Sequence, residues 1–294
     1  MPEVPASARD PDAGPAADPA ARPAGSGWPE VAATVRALRS AGCVFAEEEA
    51  GLLHGDATSP GHLAELTARR VNGAPLEHVL GWAAFSGMRV LVSPGVFVPR
   101  RRTELMVDLA RRALEARGDS RSIVVDLCCG SGAVGLAIAA GHTEVELHAV
   151  DIDPAAVRCA RRNIPVALGQ VHQGDLDDPL PPRLRGGVDV LTANAPYVPT
   201  AALRLMPPEA RRHEPRTALD GGPEGLDLLR RVILLAPRWL TRGGRVLMEA
   251  GDAQVAALVE ALAAAGLVPE VVRDQERDAT VVSGLRPGDG AVVD

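Results

Sequence analysis

The sequence predicts a doubly wound α/β fold: a mostly parallel, seven-stranded sheet with helices on both faces, behind a small N-terminal helical domain. Three observations lead there. From residue 101 onward, short apolar runs alternate with helical patterns, as parallel strands and crossover helices do. The first of these runs ends in a glycine turn, Gly130 and Gly132, that opens a helix. Ahead of them, between residues 28 and 75, the punctuation is purely helical.

Residues 1–27 are mostly Ala, Pro and Gly, which cannot bury enough apolar surface to offset ordering entropy, so a disordered tail is expected. Pro29 suits a first helical turn, Val31, Val35 and Leu38 share a face, and Gly42 closes that helix. A second helix is expected from Glu47 to His54. Ser59-Pro60 starts a third, with Leu63 and Leu66 inward and Asn72-Gly73 as its stop. This helical domain is drawn as 28–87. "MRVLVSPGVFVP" alternates and carries β-branched residues, so residues 88–100 are expected to form a β-hairpin linker.

In the second domain, 101–287, "SIVVDL" (122–127) and "VELHAVDI" (145–152) are the first two strands, separated by the helix "AVGLAIAAG". Asp153-Pro154 caps the next helix. "VHQGDL" (171–176), "VDVLTAN" (188–194), "GRVLMEAG" (244–251) and "ATVVSGLR" (279–286) follow as strands. Helices are expected over Leu226 to Leu240 and Ala253 to Ala265. Residues 288–294 are expected to be a tail.

Composition narrows the function. The apolar share of 46% is ample for a core, and all 31 basic residues are arginine. A net charge of −7 argues against a general nucleic-acid binder. No apolar run reaches the roughly 18 residues of a membrane span, and the N-terminus lacks the basic start and apolar core of a signal peptide. The cysteines at 43, 128, 129 and 159 form no Cys-x-x-Cys pair, and no histidine spacing completes a metal site. Reduced thiols in a cytoplasmic protein are the expectation.

Open α/β sheets bind ligands beyond the carboxyl ends of their strands, so those ends carry the functional signal. At the first, Cys128, Cys129, Gly130, Ser131 and Gly132 form a turn that lets the backbone approach a ligand. At the second, Asp151 lies 21 residues after Gly130, where a carboxylate can grip a ribose diol, while Asp153 serves as the helix cap. At the third, Asp175 can accept from an adenine amino group while Leu176 lies against the ring. The turn lacks the third glycine of a dinucleotide fingerprint and the Gly-Lys-[Ser/Thr] of a phosphate loop. A ribose and adenine grip without a phosphate cradle points to an adenosyl ligand, of which S-adenosyl-L-methionine is the commonest.

The fourth end is Asn194-Ala195-Pro196-Tyr197, which contains the chain's single tyrosine. "NAPY" resembles the Asn-Pro-Pro-Tyr motif of amino methyltransferases. Taken with "GAPLEHVLG" (73–81), "FVPRRRTELMV" (97–107), "DLCCGSGAVGLAIA" and "EPRTALDGGPEGLDLLRRV" (214–232), the chain resembles the protein-(glutamine-N5) methyltransferases over residues 30–286. That resemblance implies a class I S-adenosyl-L-methionine-dependent enzyme, and a partner protein carrying the target glutamine, the one in the Gly-Gly-Gln motif of peptide-chain release factors. It also implies roles at the motif. Asn194 through its side-chain oxygen and Ala195 through its carbonyl would accept the two amide hydrogens, orienting a nitrogen whose lone pair is otherwise delocalised. Pro196 would stiffen the turn and Tyr197 would pack on the planar amide. A monomer is expected. The alternatives are a nucleic-acid amino methyltransferase, in which the aromatic stacks on a flipped base, and a non-catalytic cofactor-binding module.

Two departures from the family pattern stand out. Ala195 replaces a proline. Cys128 replaces the first glycine of the turn, and a residue with a Cβ is expected to adopt an ordinary φ there. Glu104 is a candidate to line the cofactor pocket, His78 reads as structural, and the Arg-rich stretch 206–216 reads as a surface loop.

Overall fold

The computed structural model describes residues 28–118, 121–142 and 144–288. The tails expected over 1–27 and 288–294 lie outside the described residues, Gly288 aside. The helical domain comprises α1 (Val31–Ser40), α2 (Ala46–Asp56), α3 (Pro60–Val71) and a short α4 (Leu76–Leu80). Ser59 caps α3 by accepting from the His62 N–H at 3.1 Å, as the Ser-Pro signal suggests. Leu38, Leu53, Leu63 and Leu66 close a core of their own.

The hairpin is displaced from its expected place. It consists of β1 (Trp82–Phe85) and β2 (Met88–Leu91), so it begins before residue 88, and residues 92–100 carry no strand. Its tight turn puts both Ser86 and Gly87 at positive φ, the geometry that matches strand twist. Trp-Ala-Ala-Phe offers little β-branched signal, which hid the first strand. Glu104 does not border the cavity at the strand ends. Its Oε1 accepts from the Ser86 N–H at 2.8 Å, tying the hairpin turn to the start of α5 (Glu104–Glu115).

The remaining chain supplies β3 (Ser122–Leu127), α6 (Ala133–Ala140), β4 (Val145–Asp151), α7 (Pro154–Asn163), β5 (Gly169–Gln173), β6 (Val188–Ala193), α8 (Pro208–His213), α9 (Asp227–Trp239), β7 (Leu240–Glu249), α10 (Val255–Ala264), β8 (Val268–Asp274) and β9 (Ala279–Leu285). The seven-stranded sheet has the order β5-β4-β3-β6-β7-β9-β8, parallel except for β9. It is the class I methyltransferase arrangement. Alternate residues feed opposite faces. Val124, Val190 and Leu247 pack with α5 and α6, while Val125, Leu191 and Val246 pack with α9 and α10. The strand β8, "VPEVVRD", escaped the sequence reading because its edge position leaves it half exposed and charged. Among the described residues, no helix is long and apolar enough to cross a membrane.

The strand order reverses between β3 and β6. Ligands of doubly wound sheets sit at that crevice, and here it opens between the glycine turn and Asn194.

Candidate active site

A cavity of about 610 Å³ fills the crevice. Cys128, Cys129, Gly130, Ser131, Asp151, Asp175, Leu176, Asn194 and Pro196 line it, so residues read from three strand ends meet Asn194 and Pro196 of the fourth in one wall. Gly132, Ala195 and Tyr197 are not part of that wall.

The glycine turn is built from left-handed residues. Gly130 has φ +57° and Gly132 +78°. A Cβ on Gly130 would meet no atom within 4 Å, whereas one on Gly132 would lie 2.8 Å from Ile164 Cδ1. Gly130 therefore keeps a ligand face open, and Gly132 lets α6 pack against α7. Cys128 corrects the expectation of an ordinary φ, since it adopts +55°. The turn imposes that conformation: the next residue, Cys129, must donate to Val150 O at 3.0 Å, and the chain then turns into α6. A left-handed non-glycine residue is strained by about 1–2 kcal/mol, partly offset by glycine's greater chain entropy. Cys128→Gly is therefore expected to raise the unfolding free energy by roughly 0.5–1 kcal/mol, read by urea denaturation. Burial, with the Asp151 and Asp126 carboxylates nearby, pushes both the Cys128 and Cys129 thiols up, so neither is an activated nucleophile.

Asp151 is not a free carboxylate. Its Oδ2 accepts from Gly130 N–H at 2.8 Å and its Oδ1 from Asp153 N–H at 2.9 Å. Each oxygen keeps a second lone-pair direction, so the side chain shapes the turn and can still accept from a diol. Asp153 caps α7 through Ala155 N–H at 2.7 Å, the division of labour expected from Pro154. Asp175 follows β5, which stops at Gln173, and its Oδ2 accepts from Arg231 Nη2 at 2.9 Å. Leu176 sits at φ +47° and is buried.

Sequence reasoning missed Asp126, Thr103, Phe97 and the α9 residues Asp227, Leu228 and Arg231, all of which line the cavity. The signal for Asp126 was present, as the acid that opens "DLCCGSG". Its carboxyl accepts from Thr192 Oγ1 at 2.9 Å and Gly135 N–H at 3.0 Å, yet burial pushes it up to about 7.

The stretch 206–216 also differs from the surface loop expected. It contains α8, and it is pinned at both ends. Glu209 pairs with Arg70 of α3 at 2.6 Å, and buried Glu214 accepts from Arg100 Nη2 at 2.5 Å and from Val98 N–H at 3.3 Å. Pro215 to Ala218 then close one side of the cavity. His78 bonds Val96 O at 2.8 Å and is structural.

The Asn194-Tyr197 segment is held by its neighbours. Val198 N–H donates to Leu219 O and Gly221 N–H to Val198 O. Gln254 Nε2 donates to the carbonyls of Tyr197, Glu224 and Gly225 at 2.8, 3.0 and 3.1 Å. Tyr197 donates its hydroxyl to Glu249 Oε1 at 2.8 Å, and burial beside that carboxylate pushes the phenol's pKa up.

A family model for the methyltransferase small domain matches residues 87–206. The release factor glutamine methyltransferase of Streptomyces coelicolor is 38% identical over 239 residues, covering 76% of this chain and 85% of the relative. The 4-amino-L-phenylalanine/4-methylamino-L-phenylalanine methyltransferase of Streptomyces pristinaespiralis is 38% identical over 201 residues, 67% of this chain and 68% of the relative. Among solved structures, the hMettl16 catalytic domain in complex with a 3'UTR hairpin superposes with a TM-score of 0.55 at 13% identity, covering 79% of this chain and 83% of that one, a likeness of fold alone.

Proposed function

Because this chain belongs to the release factor glutamine methyltransferases, we propose that the crevice methylates the side-chain nitrogen of a glutamine in a peptide-chain release factor and that Asn194 and Ala195 orient that nitrogen. Bound S-adenosyl-L-methionine supplies an electrophilic methyl group on a sulfonium. The residues present fit it: an open face at Gly130, two lone-pair directions on Asp151, and a buried carboxyl, Asp126, facing a ligand of net positive charge. Asn194 and Pro196 border the same cavity, and this shared wall is the observation that carries the reading. The planar target amide has two N–H groups and a weakly basic nitrogen. With one hydrogen accepted by the Asn194 carboxamide oxygen and the other by the Ala195 carbonyl, the nitrogen's direction is fixed and positive charge on it is stabilised. Tyr197, anchored on Glu249, stiffens the segment, and its hydroxyl is spent on that bond. We take the chain to act as a monomer in the cytoplasm, where release factors work.

The Asp126 carboxyl gives this reading a pH signature. A cation in the cavity favours the ionised form, so cofactor binding draws off the Asp126 proton and is linked to proton release. Affinity is expected to rise as pH increases through 7, by about threefold to tenfold between pH 6 and 8. In Asp126→Asn that slope disappears. Calorimetry at the two pH values measures it.

The arylamine enzyme of Streptomyces pristinaespiralis, equally identical over a shorter span, favours a second reading: a free amino acid bearing an aromatic amine. Labelled methyl transfer offered to release factor, to 4-amino-L-phenylalanine and to nucleic acid separates the classes. Label on the release factor is expected. Label on the amino acid or nucleic acid with none on the protein would overturn the proposal.

A further inference from the structure

We propose that Glu249, acting through Thr103, determines which way round the Asn194 carboxamide lies, and so makes it an acceptor toward the substrate. This inference rests on the acceptor role given to Asn194 above. Glu249 ends β7, beside the β6 end that carries Asn194, and its side chain is buried. Three donors converge on it. Arg102 Nε and Tyr197 hydroxyl meet Oε1, both at 2.8 Å, and the buried Thr103 hydroxyl meets Oε2 at 2.5 Å. Asn194 Nδ2 lies 3.5 Å from Thr103 Oγ1, at the outer reach of a hydrogen bond.

The polarity follows from counting protons. A threonine hydroxyl has one proton, and here it goes to Glu249. Toward Asn194, Thr103 Oγ1 can therefore only accept. The group that can donate to it is the Asn194 NH₂, which turns Oδ1 away from Thr103. Were the carboxamide reversed, two acceptors would face each other, or the Thr103 proton would swing round and leave the buried Glu249 Oε2 without its donor. A carboxamide presents oxygen or nitrogen with almost the same shape, so packing alone cannot select between them. The Glu249–Thr103 pair supplies the selection electrostatically. It also explains why a carboxylate that touches no part of the cavity sits under the motif. Glu249→Gln removes the selection. The amide it introduces can donate to Thr103, whose proton is then free to point at Asn194 Oδ1, presenting NH₂ to a target nitrogen that itself has only N–H groups to offer.

The experiment compares Glu249→Gln, Thr103→Val, Thr103→Ser and Asn194→Ala in the full chain, with release factor as methyl acceptor. Expected are kcat losses of roughly 10- to 100-fold for Glu249→Gln and Thr103→Val, with KM and the cofactor Kd within about twofold of the parent. Thr103→Ser, which keeps the hydroxyl, is expected to restore kcat to near the parent value. Should Glu249→Gln fail to fold by thermal melting, the Thr103 pair decides alone. Thr103→Val with parental kcat, or Thr103→Ser as poor as Thr103→Val, would overturn the proposal while Asn194→Ala remains impaired. Full turnover in Asn194→Ala would instead remove the acceptor role beneath it, and both would fall.

Discussion

Asn194→Ala is expected to lower kcat for methyl transfer by about 10²–10³, the usual loss when one preorganised polar group is removed from a reacting centre. Cofactor affinity should change little, because the ligand face at the glycine turn is built by Gly130 and Asp151 from other strands. The segment should keep its shape, since its backbone is bonded through Val198 to Leu219 and Gly221 and clamped by Gln254 rather than by the Asn194 side chain. Steady-state kinetics with calorimetry of the variant tests both halves. A parallel loss of kcat and cofactor affinity would mean that Asn194 holds the cofactor instead of the acceptor amide.

The second large effect concerns Arg70, which lies between the helical domain and the cavity's roof. Its guanidinium is buried and bidentate on Glu49, with Nε–Oε2 at 2.7 Å and Nη2–Oε1 at 3.0 Å. The remaining Nη1 reaches Ala74 O at 3.1 Å and Glu209 of α8 at 2.6 Å. Arg70→Met strands the buried Glu49 carboxylate and is expected to cost about 3–5 kcal/mol of unfolding free energy. Adding Glu49→Leu should recover most of that loss, because replacing both members of a buried pair removes two desolvation costs at once. Urea denaturation of the two variants measures it. A double variant no better than Arg70→Met would mean that the contact to α8, and not the pair, dominates.

The parts that were legible in the sequence are those where chemistry acts locally. Asp153-Pro154 and Ser59-Pro60 announce their helices because a cap needs one side chain and the next two or three backbone N–H groups. The strands β3 and β6 read as short, mostly apolar runs because both faces are covered. What escaped depends on distant partners. That Asp151 holds the glycine turn, that Asp175 is paired with Arg231, and that Cys128 is forced to positive φ are facts about residues brought together by the crossovers. The roof formed by Pro215 to Ala218 likewise depends on Glu209 and Glu214 finding Arg70 and Arg100, more than a hundred positions away in the chain. The Asn194 end was legible as a place, since a strand stops there, but its neighbours Thr103 and Glu249 come from sequence stretches whose pattern gave no hint of one another.

The central claim is that this crevice alkylates a carboxamide nitrogen. Tandem mass spectrometry of a purified release factor, after incubation with the chain and S-adenosyl-L-methionine, tests it most directly. One added methyl, localised to the side-chain nitrogen of a glutamine, is the result this account predicts. A methyl on lysine, arginine or a backbone terminus, with that glutamine unmodified, would contradict it.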